Sequence, residues 1–288
     1  MAIRTILAAA SGGTASAGAI DLGCQLARRF DAHLEGFHVP PDLETAFAAI
    51  GEGMGAPAPG GLIERVMEEA VARAAQTRAR FDEIVERHGI GHGSVAQLGV
   101  HGPTASWREE SGAAATLVAR RGRFFDLVVL GRSERAINEP HSDAIEETLA
   151  LSGRPLMLAP VEPPSGIGYV VAVAWNGSPQ AVRALTASLP FLEKANAVSL
   201  ITAGDADAAG SLAAVEYLAW HGVQAEHRRA PSGRGRHLGR ILIEAATDVG
   251  ADLLVMGAYG HAPWREQLFG GATRAALATM PLPLLLVH

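Results

Sequence analysis

The feature that most constrains this chain is an internal repeat. Phe125-Asp126-Leu127-Val128-Val129-Leu130-Gly131 is echoed by Ala251-Asp252-Leu253-Leu254-Val255-Met256-Gly257, each a short apolar run ending in glycine. His88-Gly89-Ile90 corresponds to His221-Gly222-Val223, and Arg4-Thr5 onward to Ala10 corresponds to Tyr169 through Trp175. Gly153-Arg154-Pro155-Leu156-Met157-Leu158 likewise corresponds to Pro281-Leu282-Pro283-Leu284-Leu285-Leu286. Between the copies lies Pro160-Val161-Glu162-Pro163-Pro164-Ser165-Gly166, which has the composition of a linker. A repeat of this size predicts two similar domains, 1–160 and 167–288, joined by a Pro-rich linker at 161–166.

Within each copy, apolar strand-like runs alternate with helical patterns. In the second copy the strands are expected near 169–175, 197–202, 223–229, 252–257 and 283–287. Helices are expected near 179–193, 209–221, 236–249 and 271–279. Continuous apolar strands are those buried on both faces, and alternating β and α elements imply right-handed crossovers and a parallel sheet. The expected fold class is therefore α/β, as two tandem doubly wound domains, each with a five-stranded parallel sheet flanked by helices. The first copy adds a Gly- and Pro-rich connection, Pro40 to Gly61, and then a long helix from Leu62 to Arg87.

Composition removes several chemistries. The chain carries 24 basic residues, and Lys194 is its one lysine. A Walker A loop needs a lysine beside Ser or Thr, and Lys194 is far from any Gly-rich loop, so P-loop chemistry is excluded. Schiff-base and kinase-type lysines fall on the same ground. A net charge of −6 argues against a dedicated nucleic-acid binder. No run of 18 or more apolar residues predicts a membrane span, and the single cysteine, Cys24, cannot close an internal disulfide. A cytoplasmic location is the expectation. His88 and His92 have four-residue spacing, but Gly89 and Gly91 argue against a helix there, so no metal centre is expected. Gly131-Arg132-Ser133-Glu134-Arg135 lacks the last glycine of a nucleophile elbow, and Cys24 lies on an apolar helical pattern. No residue is read as catalytic. Gly233-Arg234-Gly235-Arg236-His237-Leu238-Gly239 has one residue too many for a dinucleotide fingerprint and follows the third strand, so it reads as a loop and helix start.

Ligands of such sheets sit beyond the carboxyl ends of the strands, where strand order reverses. In the second copy that places Asn176-Gly177-Ser178 after strand 1. After strand 4 come Gly257-Ala258-Tyr259-Gly260, nine residues, and then Gly270-Gly271-Ala272-Thr273 opening a helix. Glycines admit close backbone approach, and a helix N-terminus offers unpaired N–H groups to a phosphate. This spacing resembles the ATP-binding signature of the universal stress protein family, and as a tandem of two such domains the resemblance covers the whole chain. It implies an adenine-nucleotide pocket, a five-stranded parallel sheet, dimer-like pairing of domains and a role in the stress response.

Carried over by position, Gly257, Gly260 and Gly270 match the signature glycines. Ala272 and Thr273 match the residues whose backbone and hydroxyl hold the phosphates. Asn176 stands where the family has an acidic residue facing the nucleoside, and Ala203, just past strand 2, matches a backbone contact to adenine. Gly271 replaces the family's Ser or Thr, which removes one hydroxyl and keeps its N–H. Arg265, inside the loop, is within reach of phosphate, and Tyr259 either stacks on the ligand or packs. The expected cofactor is ATP or a related adenine nucleotide, with magnesium accompanying it without a protein cage.

The first copy departs further. Ser11-Gly12-Gly13 replaces the acidic turn, Glu134 replaces the second glycine, and Ser142-Asp143 is read as the cap of its last helix. It is expected to have lost triphosphate binding and to serve as a degenerate structural partner. Three functions stay open: a regulatory protein that binds nucleotide in its C-terminal domain, with slow ATP hydrolysis at most; a nucleotide-free scaffold acting through domain pairing and protein partners, alone or as a homodimer; and, more remotely, an adenine-nucleotide-using enzyme of related fold. For the scaffold, Leu156-Met157-Leu158 and Leu284-Leu285-Leu286 are the strand edges suited to pairing the domains.

Overall fold

The structure, a computed structural model, describes residues 2–40, 62–93, 102–132, 141–162, 164–203, 208–230, 238–258 and 281–288. The first half runs β1 (Thr5–Ala9), α1 (Gly13–Phe30), β2 (His33–His38), α2 (Leu62–Arg87), β3 (Gly91–His92), β4 (Thr104–Glu109), α3 (Ala114–Gly122), β5 (Leu127–Gly131), α4 (His141–Leu151) and β6 (Leu156–Ala159). The second half runs β7 (Val170–Trp175), α5 (Pro179–Leu192), β8 (Ala197–Ala203), α6 (Ala208–Trp220), β9 (Ala225–Ala230), α7 (Leu238–Asp248), β10 (Leu253–Gly257) and β11 (Leu284–Val287).

All of these strands belong to one sheet of order β3-β4-β2-β1-β5-β6-β11-β10-β7-β8-β9. Read outward from the middle, each half has the same order, and every pairing within a half is parallel. The halves meet at one antiparallel seam, β6 on β11, with Leu156 opposite Leu286, Met157 opposite Leu285 and Leu158 opposite Leu284. Among the described residues, the strands and helices follow the expected order. The two-residue β3 gives the first half a sixth strand that the apolar patterning did not signal, because Gly91 and His92 are both exposed. Ser142 and Asp143 lie within α4 rather than ahead of it, which corrects the reading of that pair as a cap.

Strand alternation splits the apolar side chains between two layers. Ile6, Leu34, Val129, Met157, Val173, Val255 and Leu285 join one layer, covered by α1, α2, α5 and α6 through residues such as Ile20, Phe81, Leu185 and Leu218. Leu7, Val128, Leu130, Leu158, Ala172, Leu254, Met256 and Leu284 join the other, covered by α3, α4 and α7 through Val118, Leu149 and Leu242. Each layer crosses the seam without a break, so burial of apolar area, the main force holding such a fold, is shared between the halves.

The repeated aspartate has a shared task. Asp126 Oδ2 accepts the N–H groups of Arg4 and Thr5 at 2.8 and 3.0 Å. Asp252 accepts those of Gly168, Tyr169 and Val170 at 2.7 to 3.2 Å. Each carboxylate thus satisfies backbone donors where the first strand of its half begins, groups that would otherwise lack ladder partners.

Lys194 also finds its place here. Its Nζ donates to Arg29 O at 3.0 Å and lies 5.0 Å from the Phe30 ring, while Phe30 packs edge-on against Phe191 at 4.9 Å. Arg29 donates back to Gly168 O and Lys194 O. The one lysine therefore ties the C-terminal end of α1 to the second half. The connecting segment is held too, through a bond from Gln25 Nε2 to Pro164 O at 2.8 Å. Among the described residues no helix is long and apolar enough to cross a membrane.

Candidate functional site

The strand order reverses in the second half at β7, which pairs with β8 on one side and β10 on the other. In register, Trp175 lies beside Thr202, and Val173 beside Val255, so the carboxyl ends of β7, β8 and β10 are level. Asn176, Ala203 and Gly257 therefore come together at one edge, each partly exposed. Tyr259, Gly260, Arg265, Gly270, Gly271, Ala272 and Thr273 lie outside the described residues, as do the helix expected at 271–279, Glu134 of the first half, and Arg234 and Arg236.

The local sequence explains the geometry that is described. Asn176 Oδ1 accepts the Ser178 N–H at 3.1 Å, folding the turn back on itself, and Gly177 takes the left-handed φ of 73° that this turn needs. Ser178 Oγ then accepts the Ala181 N–H at 3.2 Å and caps α5, with Pro179 in its first turn. An asparagine oxygen is thus already used within the loop; its amide N–H₂ group is the part left to face a ligand.

Gly257 has a packing reason to be glycine. A Cβ there would stand 2.6 Å from Gln180 C and 2.7 Å from Ala181 N, at the start of α5. Gly131 repeats this in the first half, where a Cβ would stand 1.9 Å from Ala15 O in α1. In both halves the leading glycine lets a helix N-terminus sit against the strand that flanks the switch point.

Two side chains at these edges carried no earlier assignment. Trp175, last in β7, is buried, and its indole Nε1–H has no acceptor among the described residues. Thr202 Oγ1 is hydrogen-bonded to His227 Nε2 at 3.0 Å beside it. Trp175 ends the first strand of its half, where ligand-facing positions begin; its aromatic character masked it as core.

At the corresponding edge of the first half, Arg132 follows Gly131 where the second half has Ala258. Arg132 is 5% exposed and donates to Ala159 O at 3.4 Å and to Leu282 O across the seam. Burial pushes its guanidinium down to about 10, still charged at neutral pH. The same strand end therefore serves the seam in the first half.

A tandem of parallel doubly wound α/β units is the class this fold defines. Residues 170–288 match the Universal stress protein family. A universal stress protein from Archaeoglobus fulgidus shares the fold over 99% of this chain and 96% of its own, with a TM-score of 0.71 at 13% identity. A protein of unknown function from Pseudomonas aeruginosa covers 99% of this chain and 92% of its own, at 0.56 and 14%. A putative universal stress protein from the same organism covers 99% and 93%, at 0.55 and 13%. A search among curated proteins returns no match.

Proposed function

We propose that the second half binds ATP or a related adenine nucleotide, with magnesium carried in by the phosphates, and that the chain acts in the cytoplasm as a regulator of the stress response rather than as a metabolic enzyme. The observation that carries this reading is the family match over residues 170–288, which spans the whole Gly257 to Thr273 signature. The edge formed by Asn176, Ala203 and Gly257 suits it, because parallel strands present their ligand at this end. Trp175 fits as well: its buried donor has no acceptor among the described residues, which is costly, and a purine or ribose oxygen or nitrogen would supply one. Asn176 and Ala203 would orient the nucleoside, Tyr259 would border it, and Gly257 would keep the strand close to α5. Gly260, Arg265, Gly270, Gly271, Ala272 and Thr273 would hold the phosphates through backbone N–H groups, one guanidinium and one hydroxyl.

The domain division at 161–166 belongs to the same proposal, with 1–160 as the structural partner. Gly260→Glu, which copies Glu134, tests it. ATP with magnesium should raise the melting temperature of the native protein and leave that of the variant unchanged. An equal rise in both would overturn the reading.

The scaffold reading has one observation of its own, the continuous seam between β6 and β11. It predicts partner binding that persists without nucleotide. Because those edges are used within the chain, a homodimer would need a different surface.

A further inference from the structure

The last turns of α1, the end of α2, the connecting segment from Pro164 to Ile167, and Tyr169 at the start of β7 border an open cavity of about 720 Å³. Small-molecule sites commonly measure about 300–1,000 Å³. Asp21, Gln25 and Arg28 share one side of α1, since residues four and seven apart lie nearly in line along a helix. Contacts fix where that side faces. Asp21 Oδ1 accepts from Arg87 Nη2 at 2.7 Å and is hydrogen-bonded to His88 Nε2 at 2.9 Å. Gln25 Nε2 donates to Asp21 Oδ2 at 2.9 Å and to Pro164 O at 2.8 Å. Arg28 continues this side, exposed on the cavity wall, with no hydrogen-bond or ion-pair partner among the described residues. Next to it the Arg29 guanidinium is fixed over the Tyr169 ring, 4.6 Å from its centre, with Nη2 donating to Gly168 O at 2.8 Å.

In a chain of net charge −6, this cavity is locally basic. Arg28, Arg29, Arg87 and His88 line it, against one carboxylate among its described walls, Asp21. Asp21 is already engaged by three side chains, so it holds Arg87 in place. Arg87 spends one nitrogen on Asp21, and 54% of its side chain is exposed, which leaves the rest of the guanidinium to a ligand. The basic groups form two poles. Arg87 and His88 stand beside Asp21, and Arg28 and Arg29 stand two turns further along α1, about 10 Å along the helix axis. We propose that the cavity binds a small organic molecule with two separated anionic groups, phosphate or carboxylate, one at each pole. Guanidinium matches either group in geometry and charge, and Arg29 and Arg87 are already positioned, so less order is lost on binding. Tyr169 and Pro164 give the body of the ligand a surface to lie on. Such a ligand ties α1 and α2 to the connecting segment and the second half, which makes this an effector site. Tyr169 precedes β7 and Asn176 follows it, so the cavity is separate from the proposed nucleotide edge and does not depend on it.

The test is calorimetric titration of the full chain with two-headed and one-headed anions: fructose 1,6-bisphosphate against fructose 6-phosphate, and suberate against octanoate. At least one two-headed anion should bind saturably and about tenfold or more tighter than its one-headed counterpart; which of the two does so tells phosphate from carboxylate. Arg28→Gln should weaken that binding by about tenfold, the loss expected for a charge-assisted hydrogen bond. The melting temperature without ligand should stay unchanged in this variant, because Arg28 is exposed and without a partner among the described residues. Arg87→Gln should weaken binding at the other pole, and Gly260→Glu should leave it as in the native protein. No binding of either two-headed anion, equal affinity for one-headed and two-headed anions, or binding that Arg28→Gln leaves intact would overturn the assignment.

Discussion

Met157 and Leu285 stand opposite each other in antiparallel register at the middle of the sheet, both fully buried in the apolar layer that runs through the two halves. Two halves that share a seam of this kind should unfold together. Leu285→Ala removes buried methyl groups from the junction and is expected to cost about 2–5 kcal/mol. Urea unfolding followed by circular dichroism should show one transition, moved to lower denaturant in the variant. Two separated transitions, with only one of them moved, would mean that the halves are energetically independent.

Gly131 and Gly257 are expected to resist the smallest substitution. Gly131→Ala places a Cβ against the α1 backbone, which cannot swing aside as a side-chain tip does. The cost should be at least about 1–3 kcal/mol, as for other overpacked sites. Gly91→Ala, where a Cβ meets nothing within 4 Å, should change stability by no more than about 0.5 kcal/mol. Thermal melts of the two variants side by side check this, and equal stability would contradict the packing role given to Gly131.

Asp21 gives stability a pH dependence. Burial raises its pKa, but hydrogen bonds from His88, Gln25 and Arg87 outweigh burial and hold the carboxyl below its ordinary value of 3.8. The charged form is therefore favoured in the folded protein, and its contribution is present above that ordinary value and fades as pH falls through the lower folded one. Asp21→Asn should melt below the native protein at neutral pH, and the gap should close in strong acid. A gap that stays constant from neutral to acid would show that the ion cluster does not act through this carboxylate.

Much of the fold was legible because apolar runs and their repetition are direct records of burial. The strands at 170–175 and 253–257 were readable from uninterrupted apolar residues, and α2 from the long run between Leu62 and Arg87. The seam was legible from Leu156-Met157-Leu158 and Leu284-Leu285-Leu286, two apolar edges with no other partner in a five-stranded unit. β3 was not, since an exposed Gly-His pair pairs through backbone alone and leaves no mark on composition. Nor was the task of Asp126 and Asp252: a single carboxylate holding backbone N–H groups has no period to detect, and only its recurrence in both copies hinted at it. At the candidate site, Gly257 was read as making room for a ligand, whereas its measurable neighbour is the first turn of α5. Trp175 was hidden by its dual character, an apolar ring in the core with one polar atom that has no partner among the described residues.

The central proposal is one adenine-nucleotide site per chain, in the second half. Calorimetric titration of ATP with magnesium into ligand-free protein tests it most directly. Saturable binding of one nucleotide per chain at micromolar affinity, lost in Gly260→Glu, is the expected result. Absence of heat, together with no shift in melting temperature up to millimolar ATP, would contradict it and leave the paired sheet as the functional element.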